Sequence, residues 1–262
     1  MAGAAMLSRL DAAAFGSVTP VTAAGDHPGR GPVIGRVAEL WRYPVKSLGG
    51  ERLACATLEA RGVTGDRRWA VRGGDGRFGS GKTTRRFRRM PHLLSLTAHT
   101  DPDGVVWIAF PDGRCGRADD PQTAAWVGEV TGAGVDLGED EGAAHFDDAP
   151  LHVVTTADLA DLQASRGDAA PTDPRRFRPN LVVEAEAGLV PGGRYLVGEA
   201  ATVATTGATV RCVMTTMAQP GLDFVPGILK HLEERYEGCF GVYATVERPG
   251  DIAVGDPVTL LS

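Results

Sequence analysis

Short apolar runs, each cut off by a glycine- or proline-bearing turn, most narrow what this chain can fold into. Residues 33–43 read as a strand that Pro44 stops, because proline cannot donate to a sheet ladder. Residues 69–72 and 77–78 flank Gly73-Gly74-Asp75-Gly76, the pattern of a hairpin. Runs at 93–99, 105–110, 151–155, 181–183, 196–197, 201–204, 209–213, 240–246 and 258–261 read as further strands, with Pro111-Asp112-Gly113 and Pro249-Gly250-Asp251 as turns. Glycine (35) and proline (17) make up 52 of the 262 residues, a punctuation that a helical bundle does not tolerate. Two segments carry helical spacing. Thr156 is placed to cap a short helix over 157–165, and Ile228, Leu229, Leu232 and Tyr236 share one face of a helix over 228–236. The fold class expected is mainly β (α+β) with a few short helices.

The first 31 residues, rich in Ala, Gly, Ser, Thr and Pro, read as a flexible leader, with helix formation conceivable only around 6–14. A second shift in texture falls at 132–150, acidic and glycine-rich, and divides the remainder into 32–148 and 149–262. Lys plus Arg is 27 and Asp plus Glu is 33, a net charge of -6 that argues against a general nucleic-acid binder. No apolar stretch approaches the length of a membrane-spanning helix. The four cysteines show no CxxC spacing, so neither a zinc ribbon nor an iron–sulfur module is expected. No secretory signal is visible, and the chain reads as cytoplasmic with reduced thiols.

Four constellations could carry chemistry. Lys46 and Ser47 follow a strand-ending proline and precede Gly49-Gly50; they read either as a solvated turn or as a cradle for an anion. Arg67 and Arg68, with the basic run from Lys82 to Arg89, read as solvated loops or as recognition of a phosphorylated small ligand. Arg178, Pro179 and Asn180 lead into the apolar run 181–183; Pro179 extends the backbone at Arg178, and the pair serves either a structural ion pair or a ligand. Arg211-Cys212, followed by Thr215-Thr216, sets a thiol beside a cation that favours the thiolate, the form that attacks or binds metal. A buried, inert cysteine is the alternative there, and the expected role of Cys55 and Cys239. Cys115 ranks below Cys212. The six histidines have no metal-ligand spacing, and neither GxSxG nor a GxGxxG after a strand is present. Gly76-Arg77-Phe78-Gly79-Ser80-Gly81-Lys82-Thr83 has the GxxxxGK[ST] spacing of a phosphate loop but does not open a helix, which that motif requires.

In this order, Tyr43-Pro44-Val45-Lys46-Ser47, Gly65-Asp66-Arg67-Arg68-Trp69, Arg176-Phe177-Arg178-Pro179-Asn180, Arg211-Cys212 with Thr215-Thr216, and the closing run from Pro249 to Val258 resemble the MOSC family, the molybdenum cofactor sulfurase C-terminal domain proteins with an N-terminal β-barrel region. The resemblance covers about 32–262, and within the family the layout is similar to the mitochondrial amidoxime-reducing components and their bacterial relatives. It implies two β-barrel-like parts with a cofactor cleft between them. It also implies a molybdenum-molybdopterin cofactor and reduction of N-hydroxylated or N-oxide small molecules by oxygen-atom transfer. By the same resemblance Cys212 is the thiolate ligand of molybdenum. Lys46, Ser47, Arg67 and Arg178 hold the pterin and its phosphate, with Thr155, Thr156, Asn180 and Arg211 as further contacts. A phosphate and a soft metal ask for this combination of cations and one thiolate. The sequence stops at Ser262 and carries no four-cysteine cluster motif, so the ferredoxin domain of some bacterial relatives is not expected. The resemblance then implies a separate electron-transfer protein of ferredoxin, flavoprotein or cytochrome type. No nucleic-acid or membrane partner is expected. The alternative function is a sulfur carrier with a persulfide on Cys212; a further alternative is an anion-binding barrel module using the 82–89 run.

Overall fold

The computed structural model describes residues 29–139, 145–168 and 172–262. The leader expected over 1–31 and the segment 140–144 of the acidic boundary therefore lie largely outside the described residues.

Seven strands close into a barrel. In ring order they are Leu181–Ala185, Leu151–Thr155, Cys239–Arg248, Ala201–Val210, Arg194–Val197, Pro257–Leu261 and Arg30–Arg42, and the last pairs back onto the first. Closure leaves no free edge among them. The single parallel contact in the ring, Leu151–Thr155 with Leu181–Ala185, needs a crossover, and helix α2 (Thr156–Arg166) supplies it. Alternation along the strands points Val37, Leu40, Val153, Leu181, Val183, Val203, Val242 and Val258 into one core. The barrel is not made from one half of the chain, because Arg30–Arg42 pairs with both Leu181–Ala185 and Pro257–Leu261.

The chain between the first and second barrel strands builds a second, half-barrel layer. Val135–Glu139, Trp69–Gly73, Phe78–Ser80 and Phe87–Arg89 form a sheet, with Val45–Lys46 parallel to Trp69–Gly73. A second sheet of Thr97–Thr100, Val106–Ala109 and Cys115–Arg117 packs with it and with helix α1 (Pro121–Thr131) around Val45, Leu48, Val71, Leu96, Ile108 and Val127. Helix α3 (Gly227–Tyr236) covers the barrel through Ile228 and Leu232, which meet Val154, Phe177 and Phe240. The chain is thus mainly β with three helices, as expected.

Several local readings change. Residues 93–95 form a 3-10 turn, and the strand starts only at Thr97. Residues 201–204 and 209–210 belong to one strand that ends at Val210, and Val213 lies in a 3-10 turn. The supposed turn at 249–251 is instead the start of Gly250–Ala253, which pairs with Cys55–Glu59. Helix α1 was not anticipated. Its signals are Asp120, whose side chain accepts from Gln122 N, proline at the first position, and Gly132 at the left-handed C-cap. Cys55 is exposed rather than in a core. Among the described residues no helix is long and apolar enough to cross a membrane.

Candidate functional site

One end of the barrel faces the half-barrel across a cleft. On the barrel side, the walls are Phe177, Arg178 and Asn180 just before a strand, Val210 at the end of another with Arg211 and Cys212 just after it, and His152 and Tyr243 within two others. On the opposite side are Lys46, Ser47, Arg67 and Asp147. The structure therefore brings together seven residues singled out from sequence: Lys46, Ser47, Arg67, Arg178, Asn180, Arg211 and Cys212.

Thr155 and Thr156 are not among them, and their assignment as ligand contacts is corrected. Thr155, not Thr156, is the N-cap of α2. Its hydroxyl accepts from Asp158 N at 3.0 Å, and the Asp158 carboxylate accepts from Thr155 N at 2.9 Å. The Thr156 hydroxyl donates to Ala185 O at 3.3 Å and accepts from Ala185 N at 3.2 Å. Both side chains are committed to the strand–helix junction.

The backbone at the cleft is held under strain. Among the described residues five non-glycines have positive φ, and three line this cleft: Ser47 (67°), Arg67 (51°) and Arg178 (55°). Such conformations cost about 1–3 kcal/mol each and persist where the surroundings over-determine them. The surroundings do so here. Ser47 is buried and its hydroxyl donates to Gly79 O at 2.9 Å. Arg67 N donates to Tyr43 O at 2.8 Å, and its guanidinium pairs with the buried Asp66 carboxylate. That carboxylate also accepts from Tyr43 N at 2.7 Å. Arg178 donates to Leu48 O and lies 4.2 Å from the Tyr43 ring centroid, with Arg67 at 5.0 Å from the same ring.

Asn180 ties three chain segments together at the barrel mouth. Its N–H donates to His152 O at 2.8 Å, its carbonyl accepts from Trp41 N at 2.9 Å, and its side-chain amide donates to Trp41 O at 3.3 Å. The His152 ring sits 3.1 Å from Phe240 O, in space left by Gly241, where a Cβ would lie 2.5 Å from His152 Nε2. Burial drives His152 well below the ordinary histidine range, so its ring is neutral.

The cleft is cationic. Lys46 is buried; its ammonium donates to Asp147 Oδ1 at 2.6 Å and to His145 O at 2.7 Å. Burial lowers its pKa to about 8, against the opposing pull of Asp147. Burial lowers Arg178 to about 10 and lowers Arg211 as well. Burial also pulls Arg67 down, but Asp66 more than compensates and leaves it raised. Four cations thus converge, and among the described residues the ion pairs they form are Lys46–Asp147 and Arg67–Asp66. Arg211 donates to Phe177 O at 2.7 Å, yet its Nε and Nη2 of Arg178 are buried without a partner. Guanidinium N–H donors of this kind suit an anionic acceptor.

Cys212 stands at this mouth as a free, half-buried thiol. Its carbonyl accepts from Thr215 N at 3.0 Å and Thr215 Oγ1 at 2.9 Å, so Thr215 fixes the turn that presents the thiol. Among the described residues no three His, Cys, Asp or Glu side chains gather as metal ligands. The basic run 82–89 stays largely at the surface: the exposed Arg86 donates to Phe146 O at 2.8 Å and Asp147 O at 3.2 Å, and Lys82 lies 5.3 Å from the Phe87 ring. Sequence reasoning missed Asp147, which it placed in an acidic boundary, and gave His152 and Tyr243 no part. Nothing local in the sequence marks these three: barrel register brings His152 and Tyr243 to the cleft, and the loop before Leu151–Thr155 brings Asp147.

Residues 34–148 match the MOSC N-terminal beta barrel domain and residues 137–259 match the MOSC domain. The chain belongs to the MOSC proteins that carry both. MOSC domains are associated with molybdenum-cofactor binding. The chain is 27% identical to mitochondrial amidoxime-reducing component 1 of Homo sapiens, over 87% of this chain and 83% of that protein. It is 25% identical to mitochondrial amidoxime reducing component 2 of Bos taurus, over 86% and 83%. Among solved structures, the YUAD protein from Bacillus subtilis aligns over 87% of this chain and 96% of its own, at 15% identity and a TM-score of 0.49.

Proposed function

We propose that this chain binds a molybdopterin-type molybdenum cofactor in the cleft and reduces N-hydroxylated or N-oxide small molecules, with electrons from a separate redox protein. The observation that carries the reading is the pair of unpartnered, buried donors on Arg178 and Arg211 beside the free thiol of Cys212. The donor set fits the group: a phosphate needs charge-assisted N–H donors, and a soft metal needs a thiolate.

Lys46, Arg67, Arg178 and Arg211 supply positive charge for the phosphate and the electron-rich sulfur ligands, and Cys212 supplies one thiolate. When bound, the cofactor supplies two-electron oxygen-atom-transfer chemistry, and the protein supplies orientation and electrostatics. Thr215 holds Cys212 in place, and the left-handed backbone at Ser47, Arg67 and Arg178 sets their side chains before the ligand arrives. Burial holds the Lys46 ammonium below the ordinary lysine range, at about 8, and its bonds to Asp147 and His145 O fix it in the cleft wall.

A persulfide carrier on Cys212 would use the thiol but would leave the two orphaned donors without a role. The test is elemental analysis for molybdenum, with fluorescence of the released, oxidised pterin, on chain expressed in a host that makes the cofactor. Near-stoichiometric metal and pterin, lost together in Arg178→Ala and metal alone lost in Cys212→Ala, is the expected result. Absence of both, with sulfane sulfur released by mild reductant, transfers the assignment to sulfur carriage.

A further inference from the structure

A second depression borders the cleft. Its walls are chiefly Met90, Leu93, Leu94, Met214, Met217 and Phe224, with Arg89 and His92 at the rim, and its volume is about 540 Å³. That lies within the range of about 300–1,000 Å³ typical of small-molecule pockets. Met214 lines both spaces, two residues beyond Cys212. Gly81 lies at the same neck, where a Cβ would come 2.7 Å from Met217 Cε and 3.0 Å from Met214 Cγ. A glycine there leaves the methionines room. Phe224 is 61% exposed at the trough, costly in water and useful against an apolar ligand.

We propose that this trough is the seat for the apolar, aromatic body of an uncharged substrate, whose short polar end passes Met214 to reach Cys212. This deepens, and rests on, the reading of the Cys212 cleft as the reacting centre. A charged body is disfavoured because few polar groups on the trough wall would replace its water. Methionine walls are adaptable in shape and favour contact with aromatic rings, so the trough accepts a class of flat apolar bodies rather than one compound. A wall shared with the cleft argues for a small molecule spanning both, rather than a macromolecule resting on the outside.

The test uses the full chain as purified and a neutral fluorescent probe, N-phenyl-1-naphthylamine. Saturable binding is expected, abolished by Ala218→Trp, which places a ring in the trough, and weakened about fivefold by Phe224→Ala. In chain from a host that does not make the cofactor, where Cys212 is a free thiol, bound probe should slow its alkylation by iodoacetamide while leaving the exposed Cys55 and Cys115 unchanged, read by peptide mass mapping. Binding that survives both substitutions overturns the assignment, as does unslowed alkylation of Cys212. A dimer in sedimentation velocity that excludes the probe overturns it in favour of a second copy. Neither measurement needs the metal. Probe binding together with no molybdenum in chain from a cofactor-making host overturns the molybdenum reading alone, and molybdenum there without probe binding overturns the trough alone.

Discussion

The guanidinium of Arg178 lies 4.2 Å from the centre of the Tyr43 ring, and the hydroxyl of that buried ring has no hydrogen-bond partner. Tyr43 therefore serves the cleft with its face and not with its oxygen. Burial holds the hydroxyl far above its ordinary pKa, so it stays a neutral, unsatisfied donor. Tyr43→Phe keeps the cation–π face and removes that group. It should raise stability by about 1 kcal/mol, seen as a higher urea midpoint with unchanged slope. A loss of more than that amount would show that the hydroxyl does have a partner.

Arg178 itself should be irreplaceable by lysine. Its fork donates to Leu48 O, stacks on Tyr43 and keeps one nitrogen for a ligand, and a single ammonium cannot do all three. Both Arg178→Lys and Arg178→Ala should weaken inorganic pyrophosphate binding roughly tenfold or more in calorimetry. Equal affinity in the lysine variant would reduce the site to a generic positive field.

Much of this was legible in sequence, and the exceptions have physical causes. The strands that start at Leu151 and Leu181 announced themselves through the short, mostly apolar runs 151–155 and 181–183. The seven residues singled out in sequence that share the cleft sit in short motifs that keep cation, thiol and turn residues adjacent in the chain. Thr155 and Thr156 misled because a threonine at a strand end looks the same whether it caps a helix or faces a ligand. The role of Arg30–Arg42 in closing a barrel made mostly from the other half of the chain is a long-range pairing that no local pattern encodes. Helix α1 was missed because its apolar residues lack strict periodicity, although Asp120-Pro121 and Gly132 mark its ends.

The pH dependence of Lys46 has a definite sign. Its folded pKa of about 8 is below the ordinary value of 10.5, so the unfolded chain holds this proton more tightly than the native one. Burying the ammonium is a cost that is fully present below about pH 8 and is relieved as pH rises toward 10.5. Wild type should gain stability over that window relative to Lys46→Met, by on the order of 2–3 kcal/mol. Pyrophosphate affinity should fall across pH 8, because the cation that attracts it is lost. Denaturation and calorimetry at matched ionic strength check both; parallel stability profiles for the two proteins would contradict the shift.

Thr155→Ala should cost about 1 kcal/mol of stability through the lost cap and leave pyrophosphate affinity unchanged. The opposite pattern, a stable chain with impaired binding, would return Thr155 to the ligand site.

Asp66 is the buried counter-charge on which the cleft is built. One oxygen accepts from Tyr43 N at 2.7 Å and the other pairs with Arg67, whose backbone is itself left-handed. Asp66→Asn keeps an acceptor for Tyr43 but turns an N–H toward the Arg67 guanidinium, leaving a buried cation uncompensated. The cost should be about 3–5 kcal/mol. Removing the cation as well, in Asp66→Asn with Arg67→Met, should recover part of that loss, because the penalty comes from the unpaired charge and not from the pair's net worth. The double variant should still fail to bind pyrophosphate tightly, since Arg67 is one of the cleft's four cations. Recovery of stability without recovery of binding separates the two roles of the Asp66–Arg67 pair: it holds the cleft together, and it aims one cation at the ligand.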